Sequence, residues 1–277
     1  MSGNNADKGG GILNNSGTVT ITGSTISGNF ASDKGGGILH TGTTMTLTNS
    51  TVSGNTADGV NADDGGGGIL VRQPITLNNV TVANNTAALD GGGIFNSGGG
   101  ATTTLSNTII ANNTGEDCVA DVNAIVSSGN NLDSDNTCGL GSGDHPGVDP
   151  LLGALAGNGG ATQTHALGAG SPAIDAIAAG CPPPATDQRG ITRPQDGDSD
   201  GSAACDIGAY EFQVPATPTP APGTPTLAPA TATPAALPPT GDGSGDGGSV
   251  STTWLVVGAI AALGAATVGL RVTRARG

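Results

Sequence analysis

Short runs that alternate apolar and polar residues recur along the first part of the chain: Val19-Thr20-Ile21, Met45-Thr46-Leu47, Ile75-Thr76-Leu77 and Thr103-Thr104-Leu105. A second anchor begins five residues after the last aliphatic position of each run, as Ile26-Ser-Gly-Asn29, Val52-Ser-Gly-Asn55, Val82-Ala-Asn-Asn85 and Ile110-Ala-Asn-Asn113. A third anchor, Ile12, Ile38, Ile69 or Ile94, follows a glycine triplet, with spacings of 26, 31 and 25 residues between copies. The alternation has period two, so Val19 and Ile21 face one side of a strand while Thr18, Thr20 and Thr22 face the other. Insertions fall elsewhere, for example between Asn55 and Gly66. Constant strands joined by variable loops predict a solenoid with three short strands per coil.

A single three-strand unit has nothing against which to bury its apolar side. Stacked units do, each pairing in parallel with the next at a rise of ~4.8 Å. The expected fold is all-β, a right-handed parallel β-helix, with Gly and Asn supplying the corners and positive φ. Asn29, Asn55, Asn85 and Asn113 are expected to stack as a side-chain amide ladder. Thr20, Thr46, Thr76 and Thr104 align outward in the same way. β-Branched polar residues suit an exposed strand face without further purpose, which weighs against an ice-binding array. The composition fits a narrow coil: 277 residues include 50 Gly but one Trp, one Tyr and three Phe, so aliphatic residues must fill the core.

Over residues 1–117 the GGGI and (I/V)xxN pairs resemble the GGxI…FxxN repeats of polymorphic outer-membrane-protein-type β-helices, common in bacterial surface proteins. This chain uses Ile or Val where that family favours Phe, and it carries no C-terminal barrel with which to transport itself. Met1-Ser-Gly-Asn4 aligns with Ile26-Ser-Gly-Asn29, so the sequence opens within a coil and without a signal-peptide pattern. Further coils and a signal peptide are expected ahead of Met1; an intracellular start is the alternative. From Cys118 the repeat loosens, and Ile125–Leu132 reads as one degenerate coil. Ser171–Asp175 (SPAID), Asp187–Pro194 (DQRGITRP) and Cys205–Glu211 (CDIGAYE) resemble the bacterial choice-of-anchor module, over roughly residues 118–212. Its Pro-rich loops and a disulfide fit a cap closing the open end of the coil. Arg189 and Arg193 sit among acids and are expected to pair structurally with Asp206 or Glu211 rather than to act in catalysis.

Residues 213–236 form a Pro/Thr/Ala linker that cannot pack a core and reads as an extended spacer. Residues 237–277 begin with Leu237-Pro238-Pro239-Thr240-Gly241 and contain an apolar run at 254–270, followed by Arg271, Arg274 and Arg276. This order resembles the LPxTG sorting signal of wall-anchored proteins. The resemblance implies sortase cleavage between Thr240 and Gly241 and attachment to peptidoglycan. The 17-residue run is also long enough, at the short limit, for a plain transmembrane anchor with its basic end in the cytoplasm. Either way the ectodomain is expected outside a bacterium with one membrane.

The formal net charge of −14 argues against nucleic acid as a partner. Cys118 with Cys138 and Cys181 with Cys205 form two close pairs without CxxC spacing, which suggests disulfides and an oxidising exterior; four free thiols are the alternative. No nucleophile elbow, phosphate loop or HExxH stands in the sequence. His40, His145 and His165 are isolated and read as surface or turn residues. Calcium is the candidate cofactor. Asp196-Gly-Asp198-Ser-Asp200-Gly201 matches the first half of an EF-type loop, although its twelfth position is Ile207, with Asp206 one place early. Asp7, Asp33 and Asp64 each precede an Ile anchor by five residues and are expected to stack as a solvated ladder.

The expected function is non-enzymatic contact with an extracellular glycan or matrix, adhesin-like. A polysaccharide lyase or hydrolase on the same scaffold is the enzymatic alternative. It would need clustered acids, a base and stacking aromatics, where the repeats offer Lys8, Lys34, Arg72, Phe30 and Phe95. A purely structural surface component is the third reading.

Overall fold

The computed structural model describes residues 1–61, 63–120, 125–178, 181 and 184–214. The linker from residue 215, the pentapeptide Leu237–Gly241, the apolar run 254–270 and the basic tail lie outside the described residues. Among the described residues no helix is long and apolar enough to cross a membrane.

The described chain is an all-β parallel solenoid. One wall is a five-stranded parallel sheet built from Ile12–Asn14, Ile38–His40, Ile69–Val71, Ile94–Asn96 and Cys118–Ala120. Ile12, Ile38, Ile69, Ile94 and Cys118 lie in one register row. The alternating runs pair with each other in the same way, Val19 with Met45, Met45 with Ile75 and Ile75 with Thr103. In two coils the run and its second anchor fuse into longer strands, Thr44–Ser53 and Ile75–Ala83, bent at Asn49 (φ 45°) and Asn79 (φ 52°). The first coil turns the same corner at Gly23 (φ 57°). Gly and Asn are interchangeable at that corner because both tolerate the left-handed region. Each of the first coils adds a fourth short strand that the hydrophobic pattern does not signal: Asn5–Lys8, Phe30–Lys34, Thr56–Ala57 and Thr86–Ala87. Their pairing is carried by backbone hydrogen bonds, which side-chain periodicity cannot report.

The interior is aliphatic. Ile38, Leu47, Val52, Ile69, Leu77, Val82, Ile94, Leu105 and Ile110 are each fully buried. Burying one such side chain contributes roughly 1.5–3 kcal/mol. Along one interior corner runs a polar seam. Asn29 Nδ2 donates to Asn55 Oδ1 at 2.8 Å, Asn55 Nδ2 to Asn85 Oδ1 at 2.9 Å and Asn85 Nδ2 to Asn113 Oδ1 at 3.0 Å. Each of these oxygens also accepts the backbone N–H of the preceding asparagine, at 2.9–3.0 Å. The seam ends on buried Asp117, whose Oδ1 accepts Asn113 Nδ2 at 2.8 Å while Oδ2 accepts the Ser134 N–H and hydroxyl. Burial pushes the Asp117 carboxyl up from its ordinary range, against these hydrogen bonds.

The glycine triplets exist to admit this seam. Gly35 takes φ +67°. A Cβ on Gly36 would lie 2.4 Å from Thr56 O, and one on Gly37 would lie 2.5 Å from Gly68 O and 3.0 Å from Asn55 Nδ2. No side chain fits at the second or third position, because the neighbouring coil and the asparagine occupy that space.

The last coil is closed from within its own chain. Cys138, bonded to Cys118, and the partly buried Leu140 pack against the end of the aliphatic interior. The rest of the loop-rich segment continues beyond this end. It turns back and lies along the flank, with Thr162 Oγ1 donating to Gly23 O (3.1 Å), Asn49 Nδ2 to Thr186 O (2.7 Å) and Gly208 N to Asn107 O (2.9 Å). The second disulfide, Cys181–Cys205, lies within this flanking segment.

Replacing Asn55 by Ala strands two buried donors of Asn29 and removes the Nδ2 bonds to Ile26 O and Asn85. Stranded buried donors cost about 1–3 kcal/mol each. Chemical denaturation of Asn55→Ala is expected to show a loss of about 2–5 kcal/mol, whereas Thr76→Ala on the exposed wall should change stability by no more than about 0.5 kcal/mol.

Candidate functional site

Two of the outward-facing strand walls meet solvent differently. On the first, Thr20, Thr46, Thr76 and Thr104 stand in one register row, continued by Val126. These side chains are exposed or half-exposed. The row beside them begins with Thr18 and Thr44, whose hydroxyls are 3.1 Å apart. The result is a flat comb of hydroxyls and methyls repeating at about the strand spacing of 4.8 Å.

The second wall, outside the second anchors, is covered by the flanking segment. Thr51 Oγ1 donates to Gln188 Oε1 at 2.7 Å, and Gln188 Nε2 donates to the hydroxyls of Thr25 and Thr162. Thr81 Oγ1 accepts the Ala209 N–H at 3.1 Å. Near the start of this flank Ser53 Oγ meets His165 Nε2 at 2.8 Å, while His165 Nδ1 donates to Gly153 O at 2.7 Å. With Nδ1 carrying the proton, Nε2 accepts from the serine. A hydroxyl, an imidazole and an orienting acceptor are the parts of a nucleophile pair. Ser53, however, is 2% exposed. Two neighbouring backbone donors are already used, Gly28 N on Ser53 O and Gly54 N on Ala83 O. The pair acts as a latch between coil and flank.

His165 and His40 are therefore not the surface or turn residues expected from their isolation. Both are buried, and burial lowers both pKa values below the ordinary 6.5. His40 extends an inward polar row, accepting from Asn14 Nδ2 at 3.1 Å and donating from Nε2 to Pro74 O. A lone histidine gives no sequence signal for such a position. Its alignment with Asn14 behind the Ile12 and Ile38 anchors was the available clue. His145 is partly exposed on the short strand His145–Pro146.

The three C-terminal motifs converge on one buried ionic network. Arg193 Nη1 donates to Glu211 Oε2 (2.6 Å) and Asp206 O (2.7 Å), and Nη2 donates to Gly208 O (2.7 Å). Arg189 departs from expectation. Its carboxylate partner is Asp187, at 2.8 Å, and its guanidinium stacks on Tyr210 at 3.6 Å. Asp206 pairs with neither arginine through its carboxylate, which instead accepts the Asp175 and Phe212 N–H groups. Burial, reinforced by the nearby Glu211 charge, pushes the Asp206 carboxyl up to about 7. Facing inward, it is not available as a twelfth-position ligand for the acidic loop.

In that loop the carboxylates brought together are Asp175, Asp196 and Asp198, with one oxygen of each within 4.8 Å of the others. Asp200 is outside the trio, and Asp175 is the member that loop spacing missed. Much of the donor set is already used. Asp175 accepts the Gly197, Asp198 and Ala204 N–H groups, Asp196 Oδ2 accepts Gly201 N and Asp198 Oδ1 accepts Asp200 N. Asp196 Oδ1 is buried without a hydrogen-bond partner. Calcium takes six to eight oxygens, so the trio could supply part of a shell, with water completing it.

Of the expected solvated ladder, Asp33 and Asp64 are instead paired with lysines, while Asp7 stays exposed and accepts the Ser32 hydroxyl at 3.1 Å. Lys34 Nζ contacts Asp64 at 2.6 Å and Asp33 at 3.5 Å, and Lys8 Nζ contacts Asp33 at 3.3 Å. Lys34 and burial act in opposite senses on Asp64, and the Lys34 contact prevails, holding the carboxyl well below the usual range.

The chain matches no protein-family model, no curated protein and no solved structure. Function therefore has to come from the fold and these side chains.

The histidine latch sets a pH dependence. Its folded pKa is depressed, so its stabilising contribution is complete above about 6.5 and is lost as pH falls through the folded value. Over the same range the raised Asp206 carboxyl acts in the opposite sense, gaining stability as pH falls, so the His165 contribution is read as the difference between wild type and variant from about pH 7.5 to 5. His165→Gln should be about 1 kcal/mol weaker at pH 7.5, a difference that narrows as pH falls; a constant difference would remove His165 from the titration.

Proposed function

We propose that this protein is a non-enzymatic bacterial surface protein that contacts extracellular glycan or matrix along its exposed threonine wall. The observation that carries the reading is the division of the two walls: the flanking segment covers one and leaves the threonine comb open over successive coils. A repetitive polar surface of this kind suits weak contacts multiplied along a repetitive polymer. The latch geometry of Ser53 and His165, and the full pairing of Asp64, support a non-enzymatic role. The likeness of residues 118–212 to choice-of-anchor modules and of Leu237–Gly241 to a sortase signal supports display at the wall, with sortase and peptidoglycan as partners. A membrane anchor through 254–270 is the alternative retained form.

The test is the full chain against a panel of neutral and acidic polysaccharides and matrix proteins, read by calorimetry for binding and by reducing ends and unsaturated product for cleavage. Binding without cleavage is expected, weakened at least several-fold by Thr46→Lys/Thr76→Lys. Cleavage would overturn the non-enzymatic reading. Calcium belongs in the same assay. At ten times its dissociation constant it would stabilise the fold by about 1.4 kcal/mol, a Tm rise of roughly 3–6 °C. Asp196→Asn is expected to abolish that rise.

A further inference from the structure

The repeats hold three cations, Lys8, Lys34 and Arg72, and coiling brings all three to one groove of about 250 Å³. Leu13 and Leu39 form its apolar lining, and Asn15 and Thr41 add polar groups. None of its lining residues belongs to the Thr20–Thr46–Thr76–Thr104 row, and Leu13 and Leu39 come from the strands Ile12–Asn14 and Ile38–His40. The three cations are not equally committed. Lys34 is pinned by Asp64, whose side chain is only 2% exposed. Lys8 is 55% exposed and touches Asp33 at 3.3 Å. Arg72 reaches only Asp63, at 3.9 Å, and that carboxylate is 76% exposed, so the pair is loose. Arg72 Nε is buried without a hydrogen-bond partner.

The Arg72 side chain is 36% exposed and only loosely paired, so its guanidinium can take a planar anion offered from the groove. The guanidinium fork matches a carboxylate or sulfate in a bidentate way, and Lys8 can approach the same anion as a point charge. Half-exposed Leu13 gives an apolar surface for a ring face. The volume is below the ~300–1,000 Å³ of ordinary small-molecule pockets, so the space suits one charged sugar residue of a longer polymer. We propose that this groove binds an anionic saccharide, its ring substituent held by Arg72 and Lys8 with Lys34 fixed between its acids. The inference rests on the glycan-contact reading and adds to it a charge class and a second place on the coil.

The experiment is calorimetry of the full chain with oligogalacturonate, a sulfated galacto-oligosaccharide and a neutral malto-oligosaccharide of matched length, at low and at physiological salt. The acidic oligomers are expected to bind and to weaken with salt. The carboxylated and sulfated arms show which anion the groove prefers. Arg72→Gln should weaken acidic binding at least tenfold, Arg72→Lys should fall between, and Lys8→Gln should cost about threefold. Val214→Ala, in the flanking segment and outside both the groove and the threonine wall, should leave the acidic oligomers unaffected. Circular dichroism checks that each variant is folded, and Arg72→Lys keeps the test open should Arg72→Gln unfold. Equal binding by wild type and both Arg72 variants overturns the groove. So does binding of the neutral oligomer as tightly as the acidic ones, although that outcome leaves glycan contact standing. No binding by any saccharide here or in the wider panel overturns both.

Discussion

The buried asparagine seam is the constraint on which the coil depends. An amide in an aliphatic interior is costly unless both its oxygen and its nitrogen are satisfied. Here each oxygen takes two donors from the coil before it, and each nitrogen donates to the coil after it. Satisfaction is therefore possible only in register. A slip of one residue would remove the acceptors as well as turn the aliphatic rows outward. The glycine triplet is the steric half of the same device, since the amide fills the volume a Cβ would need. Asp117 brings the seam to an end by replacing the next amide with a buried carboxyl that takes donors from both sides.

The flanking segment follows a different logic. It holds a small apolar cluster of its own around Leu167, Ala173, Ile177 and Ile207, and is otherwise organised by backbone carbonyls, two arginines and several buried acids. Such a network contributes little net stability compared with well-packed apolar groups, but losing one partner leaves an uncompensated charge. Its attachment to the coil is partly apolar, where Leu167, Ala173, Ile177 and Ile207 pack with Ile109, Ala111 and Leu132, and partly polar, through Gln188, His165, Thr186 and Gly208. Beside those apolar contacts it engages the serine and threonine hydroxyls of the second-anchor wall. The consequence for function is that one wall is spent internally and the other stays open.

Charge along the coil is handled by alternation rather than by solvation. The chain is strongly acidic, yet Lys8, Asp33, Lys34 and Asp64 interleave along neighbouring coils. Partial burial strengthens these contacts beyond those of an open surface pair. The same arrangement concentrates the few cations of the solenoid, which gives an otherwise acidic surface one place with an anion-matching side chain.

What the sequence by itself determined was the repeat: period-two runs, constant anchor spacings and recurrent glycines specify stacked parallel strands because side-chain direction and backbone reach are local properties. The two cysteine pairs were legible for the same reason, being close in sequence. What only the tertiary structure decided was everything that depends on which coil faces which segment. The burial of His40 and His165, the choice of Asp187 over Asp206 by Arg189, the entry of Asp175 among the loop acids and the pairing of Asp33 and Asp64 with lysines all join residues through contacts between coils or between separated motifs. Polar partners of that kind carry no periodicity, and their identity is fixed by geometry only after the aliphatic rows have set the coil.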